Sequence, residues 1–353
     1  MLRTRILNSL VTRRLSATTY DSHRAFQLSG IYPPVVTPFD PKNNEAVDYS
    51  KFEILLHNLQ KTPISGFVIF GSNGEFPMLN RVEKVEVIKF ARKTLGTEAK
   101  IIAGAGTECK FYNKTFFVLL FSFCSFSATR DAVQLSQMMA ASGANALLVY
   151  NPFYYRGRMT TTSYVKHFTK IADNSPIPLI LYNVPAVTGK DIPLEVVKEL
   201  AQHSNIVGIK DSGGDITRIS NLCKLSSESH SNFQVVAGSA GFLLPALSVG
   251  CVGGIVALAN VLPEEVCRLM QLYNEGNMAE AKKLQLRLVE PNTAVTSGYG
   301  VPGLKAVLRC LRGIDTGCVR SPLQDLFDKD IERVKLIFHQ NGFSTPREFS
   351  EDC

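Results

Sequence analysis

No two cysteines stand in a CxxC spacing, and no histidines form an HxH or HExxH group. The eight cysteines, at 109, 124, 223, 251, 267, 310, 318 and 353, are scattered without a regular interval, which suits reduced thiols better than a disulfide framework. The six histidines, at 23, 57, 167, 203, 230 and 339, give a metal site little support. Acidic residues are scarce at the start: residues 1–30 hold Arg3, Arg5, Arg13, Arg14 and Arg24 against Asp21 alone. This segment carries net +4 of the chain's +7, so the remainder is only about +3 and gives no sign of nucleic-acid or membrane partners.

What is present is material for a large core: 353 residues, 45% hydrophobic and 20% charged. That supports one domain of about 250 residues with extensions, and excludes a disordered or membrane composition. The acid-poor start also contains Ser9, Thr12, Ser16, Thr18 and Thr19 among Leu, Ile and Val. Such a segment reads as a mitochondrial transit peptide, placed at 1–28, with the mature protein in the matrix.

From Ile31 onward, strand-like runs ending in Gly, Asn, Ser or Thr alternate with amphipathic stretches. Eight strands are predicted, at 31–39, 64–71, 100–105, 145–150, 178–183, 206–210, 233–237 and 252–258. Helices between them include Tyr49–Gln60, Arg81–Leu95, Tyr164–Asn174, Leu194–His203 and Phe242–Val249. Eight such units predict an α/β fold, a (β/α)8 TIM barrel over 29–262, with its chemistry at the C-terminal strand ends. A C-terminal helical region follows at 263–343, with helices at Pro263–Asn274, Met278–Val289, Leu304–Arg312 and Leu323–His339, then a tail at 344–353.

One strand end organises the chemistry. In Ile206 to Gly214 an apolar run closes on a lysine and a Gly/Asp/Ser turn. Alternation places Ile206, Gly208, Lys210 and Ser212 on one face, and Gly208 leaves space beneath the lysine stem. Burial disfavours an ammonium, so a lysine confined in this way becomes a nucleophile towards carbonyl carbon. The alternative is a strand-end lysine snorkelling to solvent. Gly71-Ser72-Asn73-Gly74-Glu75 after the second strand can hold a carboxylate on its backbone N–H groups and hydroxyl, or be merely a tight turn. Tyr182, in Leu181-Tyr182-Asn183-Val184-Pro185, shares a face with Ile180; amphipathic packing is its plainer reading. The aromatic cluster Asn151 to Arg156 equally suits an interface patch.

Together, the GSNGE turn, the LYNVP strand end and the GIKDSGG strand end resemble the dihydrodipicolinate synthase and N-acetylneuraminate lyase family of class I aldolases. The resemblance runs from about Ser29 to Phe343, with further support from YYRGRM at 154–159, VAGSAGFL at 236–243 and VGGIVALANVL at 252–262. It implies Lys210 as the Schiff-base lysine and Tyr182, 28 positions earlier, as the catalytic tyrosine relaying protons. It also implies substrate binding by Ser72 and Asn73 (the pyruvyl carboxylate), Ser212, Gly238 and Ile255, and by Tyr154 donated across a subunit contact of a homotetramer. The partner implied is a small oxo-acid, with no metal or other cofactor.

Synthases of the family carry an arginine in the YNVPxR position to hold a second substrate's carboxylate; Val187 stands there in this chain, which argues against synthase activity. The YYRGRM segment, the leader and the overall match favour cleavage of 4-hydroxy-2-oxoglutarate to pyruvate and glyoxylate, with sialate cleavage or a synthase-like reaction as the alternatives.

Between Glu108 and Ala128 the pattern fails. Residues 109–127 separate the third strand from its helix, a stretch that family members lack. Its apolar part is too short and too broken for a bilayer span. Cys109-Lys110-Phe111 can be encoded by TGT-AAG-TTT, which contains the donor-like GTAAGT, and the Phe, Leu and Ser usage that follows suits a pyrimidine tract. A retained intron, three nucleotides for each of these 19 residues, is the reading we favour; a genuine insertion loop is the alternative. The stretch holds phenylalanines at 116, 117, 121, 123 and 126, an aggregation hazard if exposed on the catalytic face. An inactive or poorly folding isoform is therefore a reading of a different class.

Overall fold

The computed structural model of the chain describes residues 26–105, 128–229 and 232–343. The expected leader lies outside these except at its last three residues; the 109–127 stretch and the 344–353 tail lie wholly outside.

Short Val-, Ile- and Leu-rich runs with both faces buried form the parallel strands of the main sheet, as expected of a sheet covered by helices. In chain order all the strands are β1 (Gly30–Tyr32), β2 (Pro34–Val35), β3 (Phe39–Asp40), β4 (Ala46–Val47), β5 (Phe67–Ile69), β6 (Ile101–Gly104), β7 (Ala146–Tyr150), β8 (Leu179–Asn183), β9 (Ile206–Asp211), β10 (Gln234–Ala237) and β11 (Gly253–Ile255). The main sheet runs β1-β11-β10-β9-β8-β7-β6-β5-β2. Its two ends are halves of one strand parted at Pro33, β1 pairing with β11 and β2 with β5, so the sheet closes into an eight-stranded barrel. The first strand thus ends at Val35, not at 39. Beyond Pro38, Phe39–Asp40 pairs antiparallel with Ala46–Val47.

The helices are α1 (Tyr49–Gln60), α2 (Arg81–Leu95), α3 (Thr129–Ala141), α4 (Thr161–Asn174), α5 (Pro185–Thr188), α6 (Leu194–Leu200), α7 (Ile216–Glu228), α8 (Leu243–Ser248), α9 (Pro263–Asn274), α10 (Met278–Thr293), α11 (Gly300–Arg312) and α12 (Asp328–Gln340). Local chemistry sets their starts. Asn80 and Glu83 form a capping box on α2, and the Asp48 and Asp215 side chains accept from the first-turn amides of α1 and α7. The last helix begins at Asp328, not near 323, because Arg320 to Phe327 is extended or turned chain. Pro291 sits within α10 and does not end it; the chain passes on through a π turn, Ala294–Gly298, into α11. None of these helices is long and apolar enough to cross a membrane.

Two details differ from the sequence reading. The space beneath Lys210 is filled: a methyl on Gly208 would lie 2.8 Å from Leu28 Cδ1 and 2.3 Å from the Gln234 carbonyl oxygen. Leu28 is fully buried and Phe26 nearly so, with Gln234 accepting from Leu28 N at 2.8 Å and donating to Phe26 O at 2.9 Å. Residues assigned to the leader's end therefore help close the base of the barrel. Glycine at 208 is needed because another strand's backbone and a leucine already occupy that volume.

Candidate active site

Directly paired residues of neighbouring parallel strands point the same way. The register sets Tyr150 beside Tyr182, Tyr182 beside Lys210, and Lys210 beside Val236. Lys210 and Tyr182 thus meet across β8 and β9. Lys210 is 3% exposed and its Nζ lies 4.2 Å from the centroid of the Tyr182 ring. This disposes of the snorkelling reading, since the amine turns inward.

The Tyr182 hydroxyl stands 3.4 Å from Ser72 Oγ, which connects the LYNVP strand end to the GSNGE turn. Burial pushes this phenol up. The charge of Lys210 and hydrogen bonding from Ser72, Lys210 and Ser212 outweigh burial and leave it below the usual tyrosine range. Ser212 Oγ lies near enough to favour the phenolate but makes no hydrogen bond of ordinary geometry among the described residues. The arrangement therefore offers an amine, a phenol primed for proton exchange, and hydroxyls free to meet a substrate.

The GSNGE turn is bracketed by two non-glycine residues in the left-handed region, Phe70 at φ 66° and Glu75 at φ 52°. Between them Ser72–Gly74 makes one 3-10 turn, and Ser72 and Asn73 keep partial exposure. Thr37 Oγ1 donates to Gly74 O at 2.7 Å and fixes the turn to the chain just beyond the first strand. Gly238 must lack a side chain: a Cβ there would fall 1.9 Å from Ser212 Oγ. Ile255, fully buried at the end of β11, packs in the wall rather than at an open surface.

Tyr154 lies on the connection between β7 and α4. It is 58% exposed, meets Tyr155 edge-on at 5.0 Å, and lines a cavity of about 240 Å³ with Thr129, Pro152, Met159, Ser163 and His167. Val187 is 56% exposed on α5.

Sequence reasoning missed the support behind Lys210. Asp211, fully buried, accepts from Asn183 Nδ2 at 2.8 Å, Arg218 Nε at 2.9 Å and Gly213 N at 2.8 Å. Asn183 also donates to Asp191 and accepts from Ile192 N, so β8, β9 and α7 are tied together on the side away from the amine. The Lys-Asp dipeptide was a signal that the next side chain, facing the other way, needed a partner. Tyr150 was missed too; only the register shows it beside Tyr182, packed at 5.4 Å on Phe76.

A closed (β/α)8 barrel that gathers a lysine, a tyrosine and a hydroxyl-bearing turn at its strand ends suits a lyase of the class I aldolase superfamily. The dihydrodipicolinate synthetase family model matches residues 27–110 and 124–341, and the chain belongs to that family of carbon–carbon lyases. The interruption of the match, 111–123, falls within the stretch set apart above. An uncharacterised DapA-like lyase of Halobacterium salinarum is 33% identical over 303 residues, 86% of this chain and 90% of that protein. A 4-hydroxy-tetrahydrodipicolinate synthase of Methanoculleus marisnigri is 31% identical over 314 residues, 89% of this chain and 99% of the relative. Among solved structures, YagE, a prophage protein of the dihydrodipicolinic acid synthase family from E. coli K12 in complex with pyruvate, superposes with a TM-score of 0.79 at 26% identity. That match covers 90% of this chain and all of YagE.

Proposed function

We propose that this chain cleaves 4-hydroxy-2-oxoglutarate to pyruvate and glyoxylate through an imine on Lys210. The observation that carries the reading is the inward lysine held 4.2 Å from the Tyr182 ring, beside a phenol linked to Ser72. The amine of Lys210 adds to the C2 ketone, and loss of water gives the imine. Ser72 and Asn73 hold the C1 carboxylate, and Tyr182 passes protons during imine formation. The C3–C4 bond then breaks. Its electron pair moves into the protonated imine to give an enamine, while the C4 hydroxyl passes its proton to Tyr182 and the C4–C5 fragment leaves as glyoxylate, C4 becoming its aldehyde carbon. Protonation at C3 and hydrolysis release pyruvate and the amine.

A synthase-like condensation is the second reading, favoured by relatives of 30–31% identity that carry the name 4-hydroxy-tetrahydrodipicolinate synthase. Val187 speaks against it, since no arginine projects from that position. A panel of 4-hydroxy-2-oxoglutarate, N-acetylneuraminate, and pyruvate with aspartate semialdehyde separates the three chemistries. Borohydride with pyruvate should add a reduced three-carbon adduct to the Lys210 peptide; labelling that survives Lys210→Ala would sink the imine mechanism.

The proposal extends to setting. The arginine-rich leader supports the mitochondrial matrix, checked by fractionating cells that express the tagged full chain. Exposed Tyr154 supports a homotetramer that brings it to a neighbouring site, checked by light scattering. Recovery in the cytosol or as a monomer would remove the respective part.

A further inference from the structure

One buried ion pair is not used by this chemistry. Glu75, last residue of the GSNGE turn, meets Lys305 of α11 at 2.7 Å, and both side chains are shut off from solvent. Lys305 Nζ also donates to Thr37 O at 2.8 Å and Cys318 O at 2.6 Å, and lies 4.7 Å over the Phe39 ring. The second Glu75 oxygen accepts from Arg320 N at 2.8 Å. The Arg320 side chain in turn grips Glu83 of α2 with two nitrogens at 2.8 and 3.1 Å, and Met78 O at 3.0 Å. All these groups from the C-terminal region converge on the turn that carries Ser72 and Asn73. Burial pushes the Glu75 carboxyl up and the Lys305 ammonium down, and each partner's charge opposes the other's shift.

The turn needs such support. Phe70 and Glu75 both hold left-handed backbone that their side chains disfavour, and such conformations persist only where surrounding contacts over-determine them. Thr37 binds both halves of the device, through its hydroxyl to Gly74 O and through its carbonyl to Lys305. Freed of Lys305, Glu75 has reason to turn towards water, and its backbone would carry Ser72 and Asn73 with it.

We propose that the Lys305–Glu75 pair, fastened by Arg320, is a positioning device through which the C-terminal helical region sets the Ser72–Asn73 turn for the substrate's C1 carboxylate. The inference rests on the assignment of that carboxylate to Ser72 and Asn73. Lys305 and Glu75 are positioning residues here, since they act through the turn.

The test uses the full chain and borohydride trapping at Lys210, with pyruvate and with methyl pyruvate, whose ester carries no carboxylate charge. Lys305→Met should raise half-saturating pyruvate about tenfold, the scale of one charge-assisted contact, and leave methyl pyruvate within about twofold. Glu75→Gln combined with Lys305→Met leaves no unpaired buried charge, so it carries the test if the single variant fails to fold, with the same expected split. Equal shifts for the two probes, or no shift in a folded variant, would overturn the proposal. Absence of trapping in the parent chain would instead strike the imine reading itself.

Discussion

A single hydroxyl separates tyrosine from phenylalanine, and at position 182 that hydroxyl faces Ser72 Oγ at 3.4 Å while the ring faces Lys210. Tyr182→Phe keeps the ring against Lys210 and removes only the proton path. Turnover should fall by about 10²- to 10⁴-fold with little change in melting temperature; turnover near the parent value would remove Tyr182 from the proton relay. At this scale the sequence was partly legible. Alternation put Lys210 on one face with Gly208 and Tyr182 on one face with Ile180, because a strand's period of two leaves each side chain only two choices, and the resemblance implied their roles; that the two meet inside the barrel is read from the strand register. Leu28 filling the volume under Gly208, and Gly238 giving way to Ser212, were not legible, since each depends on a residue far off in the chain.

Between elements, the contact of α3 with α4 contains a titratable group. His167 is 7% exposed on α4, its Nδ1 is 2.8 Å from Thr129 Oγ1 on α3, and burial pushes its pKa from 6.5 down to about 4. Between those values the unfolded chain takes up a proton that the native histidine refuses, so stability falls as the pH falls through this window. By pH 4 the loss attributable to this residue is about 3 kcal/mol. His167→Gln should flatten that part of the profile in urea melts taken from pH 7 to 4; an unchanged difference between the two pH values would exclude His167 as its source. The helices themselves were read closely where caps are local: Tyr49–Gln60, Arg81–Leu95 and Pro263–Asn274 have the bounds the sequence suggested. The last helix was not, because Arg320 and Ser321 ahead of it are held by Glu75, Glu83 and Glu45, more than 230 positions away in the chain, and no local pattern reports that.

For the whole molecule, β6 ends at Gly104 and α3 begins at Thr129, so in the chain residues 109–127 fall between a barrel strand and the helix that follows it. Deleting them should raise the retro-aldol rate above that of the full chain. Equal rates would show the insertion to be harmless, and sequencing the mature transcript tests its intron origin. The sequence by itself determined the strand–helix alternation, the barrel it implies and the choice of Lys210 and Tyr182 as candidates, because these follow from side-chain period and from motifs a few residues long. Only the tertiary structure decided how the barrel closes across Pro33, what fills its base, and which distant charges brace the Ser72 turn. Those are pairings over some two hundred residues or more, such as Glu75 with Lys305 and Leu28 with Gln234, and burial selects them only once the chain has closed on itself.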